Sequence, residues 1–190
     1  MCRLDRSETT ASPKTSVKQH REGTFGRRSK YNNINNVCLS TMAPSMSIAE
    51  YYAGKTLFIT GATGFMGKVM VEKLLRDCSD VKKMYLLMRP KKGHSSKERL
   101  DELLNFKIFD RLKAENPKLF EKLQVVAGDI LSEDLGLSAE DRLLIQEEAQ
   151  IIFHCAACVR FDMFLRDAVK MNTMGTKKVL ELAEGVKNLE

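Results

Sequence analysis

At 190 residues, with 43% hydrophobic residues and a formal net charge of +6, the chain has room for about one globular domain and a tail. No apolar run approaches the ~18 residues of a membrane span, and the polar N-terminus carries no apolar signal core, so neither a transmembrane nor a secretory segment is expected. Eight Lys/Arg against four Asp/Glu fall within residues 1–50, so the basic balance belongs mostly to the tail and argues against a nucleic-acid partner.

Residues 1–46 are rich in Ser, Thr, Asn, Lys and Arg and poor in apolar residues. Such a stretch buries too little to offset its ordering entropy, and a disordered basic extension is expected. Its mixed charges fit a transit peptide badly. Met46 would serve as an alternative start, because folded-looking sequence runs from 47 to 190. Ser47–Gly54 leads into a strand over Lys55–Thr60. The stretch Thr60-Gly61-Ala62-Thr63-Gly64-Phe65-Met66-Gly67 follows. A helix over 65–77 then carries Met66, Val69, Met70, Leu74 and Leu75 at helical spacing.

Strand, glycine turn, helix is the opening of a dinucleotide-binding βαβ unit. The glycines let the chain turn off the strand, approach a pyrophosphate and pack helix on strand. The unpaired N–H groups and dipole of the helix start then face the phosphate charge. The spacing here is Gly61-x-x-Gly64-x-x-Gly67, different from that of the common dehydrogenases. A plain structural turn is the competing reading, and the readable strand and helix on either side favour the nucleotide.

Lys83–Met88 reads as a second, fully buried strand closed by the basic loop Arg89-Pro90-Lys91-Lys92-Gly93. Binders of NAD place an acid at this point to bond the ribose hydroxyls. None occurs between Lys82 and Lys97. Arg89, Lys91 and Lys92 stand where a 2′-phosphate would lie, so NADPH is the expected cofactor.

Ser95-x-x-Glu98 predicts a capping box opening a long helix, with Leu100, Leu103, Leu104 and Ile108 on one face, ending near Asn116-Pro117. A third strand spans Leu123–Ala127. Asp129 after it is placed to bond adenine and Ile130 to pack on its face, the alternative for Asp129 being a turn residue. Ser138 caps a helix carrying Leu143, Leu144 and Ile145. Ile151–His154 is a fourth strand. A last helix, about 163–184, carries Leu165, Ala168, Val169, Val179, Leu180 and Ala183 on one face. The fold class is α/β: a Rossmann-type, doubly wound parallel sheet of about four strands in the order 3-2-1-4. Since such folds run to about six strands, it is expected to be incomplete, with an open growing edge.

The five cysteines are odd in number and lack framework spacing, which favours reduced thiols. Cys155-x-x-Cys158 invites a redox or zinc reading, but a zinc site needs two further ligands; a cofactor-facing strand end fits better, with His154 packed or beside the cofactor. Asn172, seven residues from both Leu165 and Val179, is expected on the buried face of its helix, either as a satisfied core amide or near the cofactor. Tyr51-x-x-x-Lys55 has the spacing of a reductase general-acid pair. It precedes the first strand and contains Gly54, so it is read as coincidence.

The run from Met46 to Lys55, the glycine turn with Lys68–Arg76, Phe109-Asp110-Arg111-Leu112 and Glu115-Asn116-Pro117 resemble the animal alcohol-forming fatty acyl-CoA reductases. So does Ile151–Asp162 followed by Leu165–Val169. The resemblance covers about 46–190, is nearest to the peroxisomal type, and lies within the extended short-chain reductases. It implies NADPH-dependent reduction of a long-chain acyl-CoA to a fatty alcohol, a precursor of ether lipids and wax esters, on the cytosolic face of the peroxisome membrane. It places Gly61, Thr63, Gly64, Phe65, Met66 and Gly67 on the pyrophosphate, Arg89 on the 2′-phosphate, and Asp129 and Ile130 on the adenine. Ala156, Val159 and Asn172 fall near the cofactor's middle and nicotinamide end. Cys158 departs from the small or hydroxyl residue of the pattern. The family's Ser/Thr and Tyr-x-x-x-Lys would follow residue 190, so a truncated cofactor-binding portion, inactive alone, is expected, with the cytosol as its alternative location. A non-catalytic NADPH-binding module and a reductase or epimerase of nucleotide-linked substrates are the alternatives.

Overall fold

A computed structural model describes residues 46–90 and 92–190. The expectation for residues 1–46 therefore lies outside the described residues, Met46 apart, as does that for Lys91.

The described residues open with a short helix, α1 (Ile48–Tyr52), inside the expected lead-in Ser47–Gly54. Its signal was present: Ser47 and Glu50 form a reciprocal capping box, and the Glu50 carboxyl is held below its ordinary range by the bonds it accepts there. β1 (Thr56–Thr60), α2 (Phe65–Asp77) and β2 (Lys83–Met88) follow. Next come α3 (Ser96–Leu104), α4 (Asp110–Glu115) and β3 (Leu123–Ala127). The chain continues through α5 (Ala139–Glu148), β4 (Ile151–His154), α6 (Leu165–Ala168) and α7 (Met174–Ala183).

All strand pairs are parallel and the order is β3-β2-β1-β4, as expected. β1 is buried along its whole length and β2 from Met84 onward, because both faces of the sheet are covered. Leu57 and Ile59 enter one core with Val71, Leu75, Leu86, Leu103 and Phe109. Phe58 points the other way, into a core with Tyr85, Val126, Ile145, Val179 and Leu182. This alternation is the strand period of two. Complete burial of a side chain such as Phe58 contributes about 1.5–3 kcal/mol. Among the described residues β4 pairs on one side, with β1, and its residues are half-buried.

Three helical expectations are corrected. In α2 the buried residues are Gly67, Val71, Glu72, Leu74 and Leu75, while Met66 and Val69 are exposed. A Cβ at Gly67 would collide with the Gly61 carbonyl oxygen, so this close approach sets the helix rotation. The long helix after Ser95 is broken: Phe106 is extended at ψ 139°, and a 3₁₀ turn, Lys107–Phe109, precedes α4. The break carries Phe109 and Leu112 into the core. The last helix contains a π turn, Val169–Thr173, between α6 and α7. Its wider turn shifts the helical phase, so Leu165 and Leu180 are exposed while Val179 and Leu182 are buried.

Candidate cofactor site

The C-terminal ends of β1, β2 and β3, and the loop leaving β4, enclose a cleft of about 220 Å³. It is the position at which open parallel sheets bind their ligands, where the crossovers diverge to either face.

Its floor is the glycine turn. Gly61 sits at φ +73°, and a Cβ there would lie 2.5 Å from the Ala156 nitrogen. The exits of β1 and β4 therefore run side by side because residue 61 has no side chain. The Gly64 N–H donates to the Gly61 carbonyl at 2.9 Å. Gly64 is the N-cap of α2; among the described residues no side chain caps that helix, and no acid lies in its first turn. Its φ of −76° suits any residue, and a Cβ there would meet just the Gly61 carbonyl oxygen, at 3.2 Å. The polypeptide itself leaves room at Gly64, and the space faces the cleft.

Of the residues expected to bind cofactor, Gly61, Thr63, Gly64, Arg89, Asp129, Ile130 and Ala156 line this cleft. Phe65 and Met66 do not: the Phe65 side chain faces a recess with Lys68 and Phe106, and Met66 faces an apolar groove with Tyr52 and Phe153. These two can serve a ligand through their main-chain N–H groups alone. Gly67 is packed against Gly61 and Ala62. Val159 is exposed beyond the cleft.

Asp129 combines both of its readings. One carboxylate oxygen accepts from the Leu131 N–H at 3.0 Å, forming an Asx turn, while the residue still borders the cleft. Ile130 packs on Gly175, where a Cβ would come within 2.7 Å of it.

Arg99 was missed. It reaches the cleft from the first turns of α3, and Arg89 lines the same cleft. One guanidinium nitrogen bonds the Glu102 carboxylate at 2.5 Å, while its buried Nε has no partner among the described residues. An unsatisfied buried donor costs about 1–3 kcal/mol, which an anionic oxygen in the cleft would relieve. The signal in the sequence was its spacing: Arg99 stands four residues before buried Leu103, hence on the inward side of its helix.

Beyond β4, the Asn172 amide bonds one residue of the following loop through both of its ends. Its Nδ2 donates to the Cys158 carbonyl at 2.9 Å and its Oδ1 accepts from the Cys158 N–H at 2.8 Å. His154 lies between Thr60 (2.6 Å) and Thr176 (3.2 Å), and burial depresses its pKa. Cys155 sits 3.9 Å from the Met70 sulfur and burial raises its pKa, which keeps it a thiol. Among the described residues no group of three or more His, Cys, Asp or Glu is arranged to hold a metal, and no helix is long and apolar enough to cross a membrane. The Tyr51/Lys55 pair lies at the start of β1, one strand length (roughly 16 Å) from the cleft. There the Lys55 ammonium covers the Tyr51 ring at 4.4 Å and pairs with Glu190.

Residues 59–190 match the family described as Male sterility protein, an NAD-binding family. Fatty acyl-CoA reductase 1 of Pongo abelii is 50% identical over 145 residues, which are 76% of this chain and 28% of that protein. Fatty acyl-CoA reductase 2 of Bos taurus is 43% identical over 143 residues, 75% of this chain and 28% of that protein. This chain thus spans little more than a quarter of the length of the curated relatives it matches. Among solved structures, the terminal R domain from the myxalamid PKS-NRPS biosynthetic pathway superposes with a TM-score of 0.60 at 30% identity, over 72% of this chain and 33% of that one.

Proposed function

Given that the chain belongs to the fatty acyl-CoA reductases of the Male sterility protein family, we propose that it is the NADPH-binding portion of an enzyme that reduces long-chain acyl-CoA to fatty alcohol. The observation that carries the cofactor choice is the pair Arg89 and Arg99 on the wall of the cleft, in a segment with no acid at the end of β2. Two guanidinium groups suit a 2′-phosphate dianion, which an NAD-type site would exclude with a carboxylate.

The residues divide the work. The N–H groups of Phe65, Met66 and Gly67 at the start of α2 take the pyrophosphate, and the open side of Gly64 admits it. Arg89 and Arg99 take the 2′-phosphate. Asp129 and Ile130 border the adenine, and Ala156 borders the continuation of the dinucleotide past β1. A cofactor held in this way would supply hydride to an acyl carbonyl, two equivalents taking a thioester to an alcohol with release of the CoA thiol. Tyr51-x-x-x-Lys55 is the sole Tyr-x-x-x-Lys in the sequence and stands at the wrong end of the sheet. These 190 residues alone are therefore proposed to bind the cofactor without turning over acyl-CoA; oxidation of NADPH on addition of palmitoyl-CoA would overturn that part.

The test of the cofactor assignment is calorimetric titration of the wild-type chain and Arg89→Ala with NADPH and NADH. Loss of one charge-assisted contact is worth about 1.5–3 kcal/mol, so NADPH should weaken roughly ten- to a hundredfold while NADH stays unchanged. Equal discrimination in the two proteins would remove Arg89 from the site.

A further inference from the structure

The hydrogen bonds around His154 have a single consistent direction. The Thr176 hydroxyl donates to the Asn172 carbonyl at 2.6 Å, so toward the imidazole it can only accept. Nε2 of His154, 3.2 Å away, therefore carries the proton. In a neutral ring Nδ1 is then an acceptor, and the Thr60 hydroxyl donates to it at 2.6 Å. The Thr60 oxygen in turn accepts from the Ala156 N–H at 3.4 Å. At the other end of this chain of bonds, Asn172 clamps both backbone groups of Cys158. The imidazole joins the end of β1 to β4 and α7, and the bonds on its two sides run to residues 156 and 158 of one loop.

On the NADPH reading, that loop has a defined place relative to the cofactor. Arg89, Asp129 and Ile130 line the cleft at β2 and β3, where that reading puts the adenosine end, and Gly61, Thr63 and Gly64 line it at the turn after β1, where it puts the pyrophosphate. With the order β3-β2-β1-β4, the remaining half of a dinucleotide extends over the exit of β4, where Cys155, Ala156 and Ala157 line the cleft.

We propose that His154 is a positioning residue: as the Nε2–H tautomer it fixes the loop Cys155–Cys158 in the place that receives the nicotinamide half of the cofactor, without touching the adenosine half. The inference rests on the NADPH reading above. Burial of the ring, which disfavours its charged form, is consistent with the neutral state this arrangement needs.

The experiment compares two ligands on the 190-residue chain: NADPH, and 2′,5′-ADP, which carries the adenosine half with its 2′-phosphate. In His154→Phe the affinity for NADPH should fall roughly tenfold, in line with two lost hydrogen bonds, while that for 2′,5′-ADP stays within about twofold. His154→Asn, whose Oδ1 can replace Nδ1 as the acceptor for Thr60, should recover part of the loss. Should His154→Phe fail to fold, Thr176→Val, which removes the acceptor for Nε2 at nearly constant volume, carries the same comparison. Equal weakening of both ligands, or of neither, overturns the positioning role. A wild-type chain that binds neither ligand overturns the cofactor reading itself, which is a distinct result.

Discussion

Replacing Gly64 with alanine separates what the polypeptide requires of a glycine from what a ligand requires. The backbone at Gly64 has φ −76°, and the new methyl group would meet one neighbour, the Gly61 carbonyl oxygen at 3.2 Å, which a shift of a few tenths of an ångström relieves. Alanine is a poorer N-cap than glycine by about 1 kcal/mol, which for a domain of this size lowers Tm by roughly 3–5 °C. On the ligand side the methyl group enters the space where a pyrophosphate would rest on the amides of α2. Displacing it from one such amide forfeits a charge-assisted bond of about 1.5–3 kcal/mol, or ten- to a hundredfold in Kd. Gly67→Ala should behave in the opposite sense. Its methyl group collides with backbone at Gly61 and Ala62, so the fold itself is hit, by about 1–3 kcal/mol or more. Calorimetric titration with NADPH, paired with thermal melts of the unliganded chains, reads both quantities. A Gly64→Ala chain that melts near wild type and binds NADPH with unchanged affinity refutes the placement of the pyrophosphate.

Two further outcomes are expected. Arg99→Met keeps the aliphatic stem and removes the orphaned Nε, so the unliganded chain should melt within about 2 °C of wild type while NADPH binding weakens at least tenfold and NADH binding does not. A collapse of Tm, with both nucleotides lost together, would instead make Arg99 a structural residue. The second concerns pH. Burial holds the His154 pKa below its ordinary 6.5, so as pH falls past 6.5 the unfolded chain takes up a proton that the folded chain refuses. The stabilisation is complete above that value and is lost as pH falls through the depressed one. Melts between about pH 7.5 and 5 should show a steeper fall for wild type than for His154→Phe; parallel slopes would contradict it.

Much of the scaffold was legible because its determinants are local. The runs Leu57-Phe58-Ile59 and Met84–Met88 are apolar on both faces and bounded by turn residues, so their strand character and central position follow together. Ser95 and Ser138 announce helix starts by short-range capping, and both cap in the structure. What escaped depends on distant neighbours. The rotation of α2 is set by the contact of Gly67 with Gly61, which no spacing of Met66 and Val69 reveals. The break at Phe106 places Phe109 in a core shared with Leu103 and Leu112, and the Lys68 ammonium then lies 3.4 Å from the exposed Phe106 ring. Asp134 and Leu135 adopt left-handed φ of 48° and 59° against their intrinsic preference, a cost of about 1–2 kcal/mol each, with Leu135 buried in return. The cleft was legible on its glycine side and at Arg89, where the residues follow a strand directly. Arg99 reaches the same cleft from a separate helix, and its inward direction required knowing that Leu103 is core.

The π turn at Val169–Thr173 acts as a built-in phase shifter. Residues before and after it belong to two different helical stripes, so Leu165 and Val179 cannot be read on one wheel even though they lie in one rod. Removing a single residue from the turn would restore a regular α-helix at almost no cost in backbone hydrogen bonds. It would also turn the two flanks of the rod by about 100° relative to one another, so the Asn172 amide could meet Cys158 only at the expense of how one flank is docked. An irregularity that weakens the helix locally thus carries the side chain that holds the loop.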